Sequence, residues 1–181
     1  MYKYAVVVAG LLLAVPAFAE SPREQGGWEL RLSSDTVNDF TPQIAYYLAD
    51  NLSAVLHIAY DNIEAKIGTA SDETKEFDFG VGLELNFGTS ASRVVPFVGA
   101  SLAYVRFEET DTTVFPTERT EISGPAFGLE GGLKFMVGER ASVNVSALYS
   151  TGTFSQEFDG VAAADLELTR VGARLGYSLY F

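Results

Sequence analysis

The chain has no cysteine and few basic residues. Its 181 residues include 12 lysines and arginines against 24 aspartates and glutamates, a formal net charge of −12. A chain this acidic repels nucleic acid, so the composition argues against a nucleic-acid partner. Without cysteine, the folded protein must be stable in the absence of disulfides.

Long hydrophobic runs are also scarce. One stands at the start, where Lys3 is followed by apolar residues 4–15 and by a small-residue signature at 17–19. A run of about a dozen residues is shorter than the roughly 20 that a membrane-spanning helix needs. We therefore interpret residues 1–19 as a cleaved secretory signal peptide rather than a membrane anchor, and residues 20–181 as one domain.

Beyond the leader, no segment reaches 18 consecutive apolar residues, which argues against a helical span. The end of the chain alternates instead, with an apolar side chain at every second position up to a final aromatic residue. This apolar row is Val171, Ala173, Leu175, Tyr177, Leu179 and Phe181. A period of two predicts a β-strand with one apolar and one polar face.

Similar alternation recurs seven times upstream and predicts an all-β fold. The predicted strands are 28–33, 42–48, 52–60, 77–87, 94–107, 127–137, 141–149 and 169–181. Tight turns are predicted at 49–51, 88–93 and 138–140, and longer loops at 34–41, 61–75, 108–121 and 152–165. Short and long connections therefore alternate along the chain.

The carboxy-terminal pattern of Leu175, Tyr177, Leu179 and Phe181 resembles the terminal strand of bacterial outer-membrane β-barrels. Almost the whole chain after residue 19 is similar to the small barrels of the OmpA/OmpX type. The resemblance implies an eight-stranded antiparallel up-and-down transmembrane β-barrel in the outer membrane of a Gram-negative cell. It also implies that the barrel-assembly machinery reads these four residues as a signal, and that the tight turns face the periplasm.

The polar face decides between a soluble carrier and a membrane barrel. A soluble carrier would be apolar inside and polar outside, whereas here the charged face is rich in Gly, Ser and Asn, which suit a narrow bore. Its charged residues are Glu29, Arg31, Glu84, Glu130, Lys134, Arg170 and Arg174. On the lipid side each charge would cost about 2 to 4 kcal/mol near the midplane, so we place them in the lumen.

We expect two layers of ion pairs in that lumen, Glu84 with Lys134 or Arg31, and Glu130 with Arg174. They either fill a polar core or act as a gate. Aromatic residues on the apolar face are expected to form two girdles at the membrane interfaces. These are Trp28, Phe87, Phe135 and Phe181 near the tight turns, and Tyr60, Phe77, Tyr104 and Tyr149 near the long loops.

Acidic residues concentrate at the long-loop end. The regions 33–41, 61–78, 106–121 and 152–167 hold 17 of the 24 acidic residues and four of the 12 basic ones. A solvated, repulsive surface explains most of this. An alternative is that Asp72, Glu73, Glu108, Glu109 and Asp111 share divalent cations with lipopolysaccharide, although no calcium-type ligand spacing is present.

We interpret the single histidine, His57, as a hydrogen-bonded side chain that packs in the lumen rather than as a general base. Ala59 stands where lipid A deacylases of this class would place a serine, so we predict no catalytic residue, metal or cofactor. Three functions remain open. They are a structural or surface-interaction protein that contacts membrane lipid, lipopolysaccharide or a ligand through its loops, a narrow channel for small solutes, and a lipid A-modifying enzyme.

Overall fold

The computed structural model describes residues 23–36, 39–67, 70–89, 91–111 and 118–181. Its strands are β1 (Trp28–Thr36), β2 (Asp39–Ala49), β3 (Leu52–Ile67), β4 (Ala70–Asn86), β5 (Val94–Asp111), β6 (Glu118–Met136), β7 (Ala141–Phe158) and β8 (Val161–Tyr180). Each strand pairs antiparallel with the next, and β8 pairs with β1 to close the ring. The predicted eight-stranded antiparallel barrel is confirmed.

The predicted signal peptide, residues 1–19, lies outside the described residues. Within the described ranges, no helix has the length and apolar character needed to cross a membrane.

The strands are strongly tilted. Following paired residues once around the ring leads from Val171 through Tyr149, Leu129, Ala100, Leu83, Ala54, Tyr46 and Trp28 back to β8 at Phe181. The closure therefore shifts by 181 − 171 = 10 residues. A shift of this size in an eight-stranded barrel tilts the strands by about 40°. Consequently, side chains that lie at the same height along the barrel axis do not belong to residues that are paired in the strand register.

Side chains alternate between an exposed apolar outer surface and a packed interior. Leu83 and Leu102 on the outer surface are 53 % and 64 % exposed, whereas Tyr47 and Lys134 inside are fully buried. The densest interior lies near the tight turns. The side chains buried most completely there are Tyr47, Tyr180, Lys134, Glu29, Val95, Asn86, Ser53, Ser142 and Ser178.

The predicted long loops are largely wrong. Strands β3 and β4 continue to residues 67 and 70, β5 and β6 to residues 111 and 118, and only Asp159 and Gly160 separate β7 from β8. The prediction relied on apolar alternation, which stops where both faces of a strand meet solvent, although hairpin pairing continues. Asp159 and Gly160 have φ angles of 49° and 76°, as a two-residue Asp-Gly hairpin turn requires.

Three hairpins therefore stand well above the fourth. Ile67 lies seven residues beyond Tyr60 on β3, Asp111 lies seven beyond Tyr104 on β5, and Phe158 lies nine beyond Tyr149 on β7. Seven tilted residues rise about 18 Å. The β1–β2 hairpin ends near residue 36, which is about the height of Tyr60 once the tilt is allowed for. Among the described residues, no strand continues the wall above it.

Candidate functional site in the barrel bore

Four charged side chains from three strands meet inside the barrel near the tight turns. Inward positions two apart on β1 supply Glu29 and Arg31, while Glu84 comes from β4 and Lys134 from β6. Arg31 Nη2 lies 2.8 Å from Glu29 Oε1 and 2.8 Å from Glu84 Oε2. Lys134 Nζ lies 2.8 Å from Glu29 Oε2 and 2.6 Å from Glu84 Oε1. Acids and bases thus alternate around a closed, neutral square, which we call the ionic floor.

Neutral groups complete the hydrogen bonding of the ionic floor. Glu29 accepts hydrogen bonds from the hydroxyls of Ser178, at 2.6 Å, and Tyr47, at 3.1 Å. Asn86 donates to Glu84 Oε1 at 3.1 Å. The ring centroid of Phe97 lies 5.4 Å from Lys134 Nζ and 5.6 Å from Arg31 Cζ, within cation–π range. Because these charged groups have hydrogen-bond and ion-pair partners, the four charges can be buried together.

The ionic floor obstructs the bore. Glu29 and Lys134 have no solvent-exposed surface, and Arg31 and Glu84 are 4 % and 3 % exposed. Tyr47 and Tyr180 are buried beside them, with the Tyr47 hydroxyl 3.1 Å from Glu29 Oε2 and the Tyr180 ring centroid 5.9 Å from Lys134 Nζ. A solute could pass this level only after some of these ion pairs had separated.

The second predicted layer lies above the ionic floor. Arg174 Nη1 is 3.7 Å from Glu130 Oε2, and Ser146 donates a 2.5 Å hydrogen bond to Glu130 Oε1. A cavity of about 50 Å³ is lined by residues of both layers and by Gln43 and His57. That volume holds a few water molecules at most.

His57 has an acidic partner. Its Nε2 atom lies 3.2 Å from Asp78 Oδ1, and its ring covers Gly80 so closely that a Cβ at Gly80 would collide with it. His57 is paired with Gly80 in the β3–β4 register, and Asp78 is the next inward residue along β4. Strand alternation predicted that both side chains face inward, but their contact was not predicted. The arrangement orients the imidazole ring and packs it against β4.

Other residues highlighted by the sequence lie outside the ionic floor. Arg170 is on the inner face of β8, higher in the bore. On the outer surface, Leu175 and Tyr177 are exposed, while Leu179 and Phe181 are half-buried. The residues placed in the girdles with exposed outward side chains are Trp28, Tyr60, Phe77, Phe87, Tyr104, Phe135 and Tyr149.

Three aromatic residues that seal the ionic floor were not predicted to do so. Tyr47, Phe97 and Tyr180 are all buried in the bore. Each shares the inward parity of its strand, and that parity is the signal in the sequence that could have identified them.

The outer face of the tall hairpins carries its own ion pairs. Arg106 Nη2 lies 3.0 Å from Glu121 Oε2, and Arg119 Nη2 lies 3.0 Å from Glu108 Oε1. On β4, Glu73 accepts a hydrogen bond that raises the pKa of Lys75. Glu108, one of the carboxylates considered for divalent cations, is thus engaged by a base; the side chains of Asp72 and Asp111 lie outside the described residues.

The closed barrel with its apolar outer band agrees with the family whose model the sequence matches. The family model described as outer membrane protein beta-barrel domain matches residues 5–178. The chain belongs to this family. An outer membrane protein beta-barrel domain lies in the bacterial outer membrane, so the exposed apolar band of this barrel faces lipid.

Solved structures agree with the fold. The N-terminal β-barrel domain of Pseudomonas aeruginosa OprF is 19 % identical, with a TM-score of 0.52, over 87 % of this chain and 98 % of that one. Neisserial surface protein A is 17 % identical, with a TM-score of 0.50, over 86 % and 94 % of the two chains. A major outer membrane protein of Thermus thermophilus is 13 % identical, with a TM-score of 0.50, over 86 % and 98 %. At sequence identities this low, the similarity shows only a shared fold. A search of curated proteins found no match.

Proposed function

We propose that this chain is a non-enzymatic outer-membrane barrel, closed to solutes, whose role is structural or surface interaction through its tall hairpins. The observation that carries the proposal is the ionic floor, in which each cation bridges both carboxylates and Lys134 is fully buried. A barrel built for passage would need a continuous hydrated path instead.

Energetics support a floor that stays closed. Removing one partner of a buried ion pair typically costs about 3 to 5 kcal/mol, because the remaining charge has neither water nor a counter-ion. Opening the floor would separate several such contacts at once. Cation–π contact with Phe97 and the hydroxyls of Tyr47 and Ser178 add to that cost.

The tall hairpins are the part that is available to partners. In barrels of this class the short turns face the periplasm and the longer connections face outside. The hairpins rise about 18 Å above the upper aromatic residues, which takes them beyond the hydrocarbon. We include in the proposal contact with membrane lipid and lipopolysaccharide at the girdles, and use of Leu175, Tyr177, Leu179 and Phe181 by the barrel-assembly machinery.

Planar-bilayer recording tests the closed lumen against the alternative of a narrow channel. The protein without residues 1–19, reconstituted at single-molecule density, is expected to give no sustained ohmic current. Charge reversal by Glu130→Lys leaves the ionic floor in place and should not change that result. Stable openings of the parent protein would refute the closed barrel and favour the channel.

The enzymatic alternative is tested separately. Overexpression in a Gram-negative host, followed by mass spectrometry of lipid A, should show the same lipid A as in cells without the protein. A mass shift abolished by His57→Ala would contradict the non-enzymatic part of the proposal.

A further inference from the structure

Within the part of the chain that the structure describes, β8 has an edge with no partner strand. Described pairs between β1 and β8 end at Ser34 and Leu175, whereas β8 begins at Val161. Among the described residues, nothing pairs with the other side of β8 between residues 161 and 169, and on that side the β1–β2 hairpin is too short to reach. Natural sheets seldom leave so long an edge without cover.

The direction of the main-chain groups on this edge follows from the register. Trp28 and Phe181 exchange two backbone hydrogen bonds, at 2.7 and 3.0 Å, while the amide of Tyr180 donates to Arg140 on the opposite side. Odd-numbered residues of β8 therefore direct N–H and C=O toward β1. The β7–β8 register has no shift from Asp165 onward. Asp165, Glu167 and Thr169 consequently direct three donors and three acceptors away from β7, and we call this segment the β8 edge.

The two faces of the β8 edge differ in chemistry. Its outward side chains include Asp165 and Glu167, both exposed. Inward, Leu166 and Leu168 join an apolar surface formed by the upper parts of β5, β6 and β7. Its other members are Val105, Phe107, Ile122 and Phe154. Leu168 is 50 % exposed although it points inward, because no described strand stands opposite to cover it.

We propose that the β8 edge binds an extended peptide segment of another protein, which adds to the sheet as a further strand with apolar side chains facing inward and basic side chains outward. An unpaired row of backbone donors and acceptors selects a strand, and strand addition to a free edge is an established mode of peptide recognition. The apolar inner surface selects the inward side chains of that strand. Directly opposed Lys or Arg side chains would pair with Asp165 and Glu167 on the outer face.

This inference rests on the surface-interaction role proposed above but is tested independently of it. The probe is a fluorescent nine-residue peptide of alternating valine and lysine, titrated against the protein in detergent micelles and followed by anisotropy. One control peptide carries N-methyl groups on alternate residues, which removes backbone donors. A second has the same composition with valines and lysines in separate blocks. Saturable binding of the alternating peptide alone is expected.

Two substitutions at Glu167 distinguish the contribution of the backbone N–H to peptide binding from that of the side-chain charge. Glu167→Gln removes the charge and keeps the edge N–H, whereas Glu167→Pro removes both without breaking the β7 ladder. We expect the proline variant to bind about tenfold more weakly than the glutamine variant, as loss of one backbone hydrogen bond and a steric block imply. Heat-modifiable electrophoretic mobility establishes that both variants remain folded barrels.

Several results would overturn the inference. Equal affinity of the two variants, or equal binding of the N-methylated peptide, would show that the edge is not used. If the block peptide bound as tightly as the alternating peptide, charge attraction alone would account for the binding. A parent dimer in sedimentation experiments that Glu167→Pro dissociates would assign the edge to a second copy of this chain. Current through the parent barrel would refute the closed lumen while leaving the peptide result to decide this inference.

Discussion

Replacing Lys134 by methionine tests the physics of the ionic floor most directly. Lys134 makes contacts of 2.8 and 2.6 Å to Glu29 and Glu84, and its side chain is fully buried. Methionine is of similar length and apolar, so the change removes the charge with little change in volume. Two carboxylates then remain with only Arg31, and the site carries a net charge of −1. Loss of one partner from a buried ionic group predicts a decrease of about 3 to 5 kcal/mol in the free energy of unfolding.

The assay is urea unfolding of the protein in lipid vesicles, followed by tryptophan fluorescence of Trp28 and by electrophoretic mobility. The matched control is Lys75→Met, because the side chain of Lys75 is 38 % exposed and its ion pair, 3.1 Å from Glu73, is solvent-accessible. This control should change the free energy of unfolding by less than about 1 kcal/mol.

A double variant makes the prediction sharper. Glu84→Gln in the Lys134→Met background restores neutrality, because Glu29 and Arg31 remain as one pair at 2.8 Å. The two losses should therefore be less than additive, with a coupling energy of about 1 to 3 kcal/mol. Additive losses, or a Lys134→Met effect as small as that of the control, would refute the reasoning that the four charges form one cooperative unit.

Three further predictions test other parts of the structure by the same unfolding assay. Leu83→Arg places a charge on the lipid-facing surface and should cost about 2 to 4 kcal/mol, whereas Leu168→Arg on the tall hairpin should cost little. Gly80→Val drives a side chain into the His57 ring and should cost about 1 to 3 kcal/mol, and His57→Ala in the same chain should recover part of that loss. Gly160→Val puts a β-branched residue at a φ of 76° and should cost at least about 1 kcal/mol.

The wall of the barrel could be predicted from the sequence because one physical rule governs it. Alternation with period two places each side chain either toward lipid or toward the bore, and a charge on the lipid side is costly. Glu84, Lys134 and Arg31 could therefore be assigned to the lumen and expected to pair with one another. The structure brings all three together and adds Glu29 as the fourth member.

The sequence could not show with the same accuracy which charged residues lie at the same height along the barrel axis. That depends on the 10-residue shift at closure, which the strand pattern alone does not specify. The height of the tall hairpins was missed for a different reason. Above the membrane neither face of a strand is constrained by lipid, so polar residues of 61–75 and 108–121 read as loops although cross-strand pairing holds most of them as strands.

The two ends of the bore differ in chemistry. At the tight-turn end, every charge of the ionic floor has an opposite partner within 2.8 Å, and the surrounding aromatic side chains of Tyr47, Phe97 and Tyr180 are buried. At the other end, apolar side chains such as Phe107 and Leu168 face inward, and the β8 edge has no partner strand among the described residues. Satisfied groups contribute stability, whereas exposed apolar area and an unpaired edge remain available for binding. Substitutions in the floor should therefore change folding, and substitutions on the upper β8 wall should change recognition while the barrel still forms.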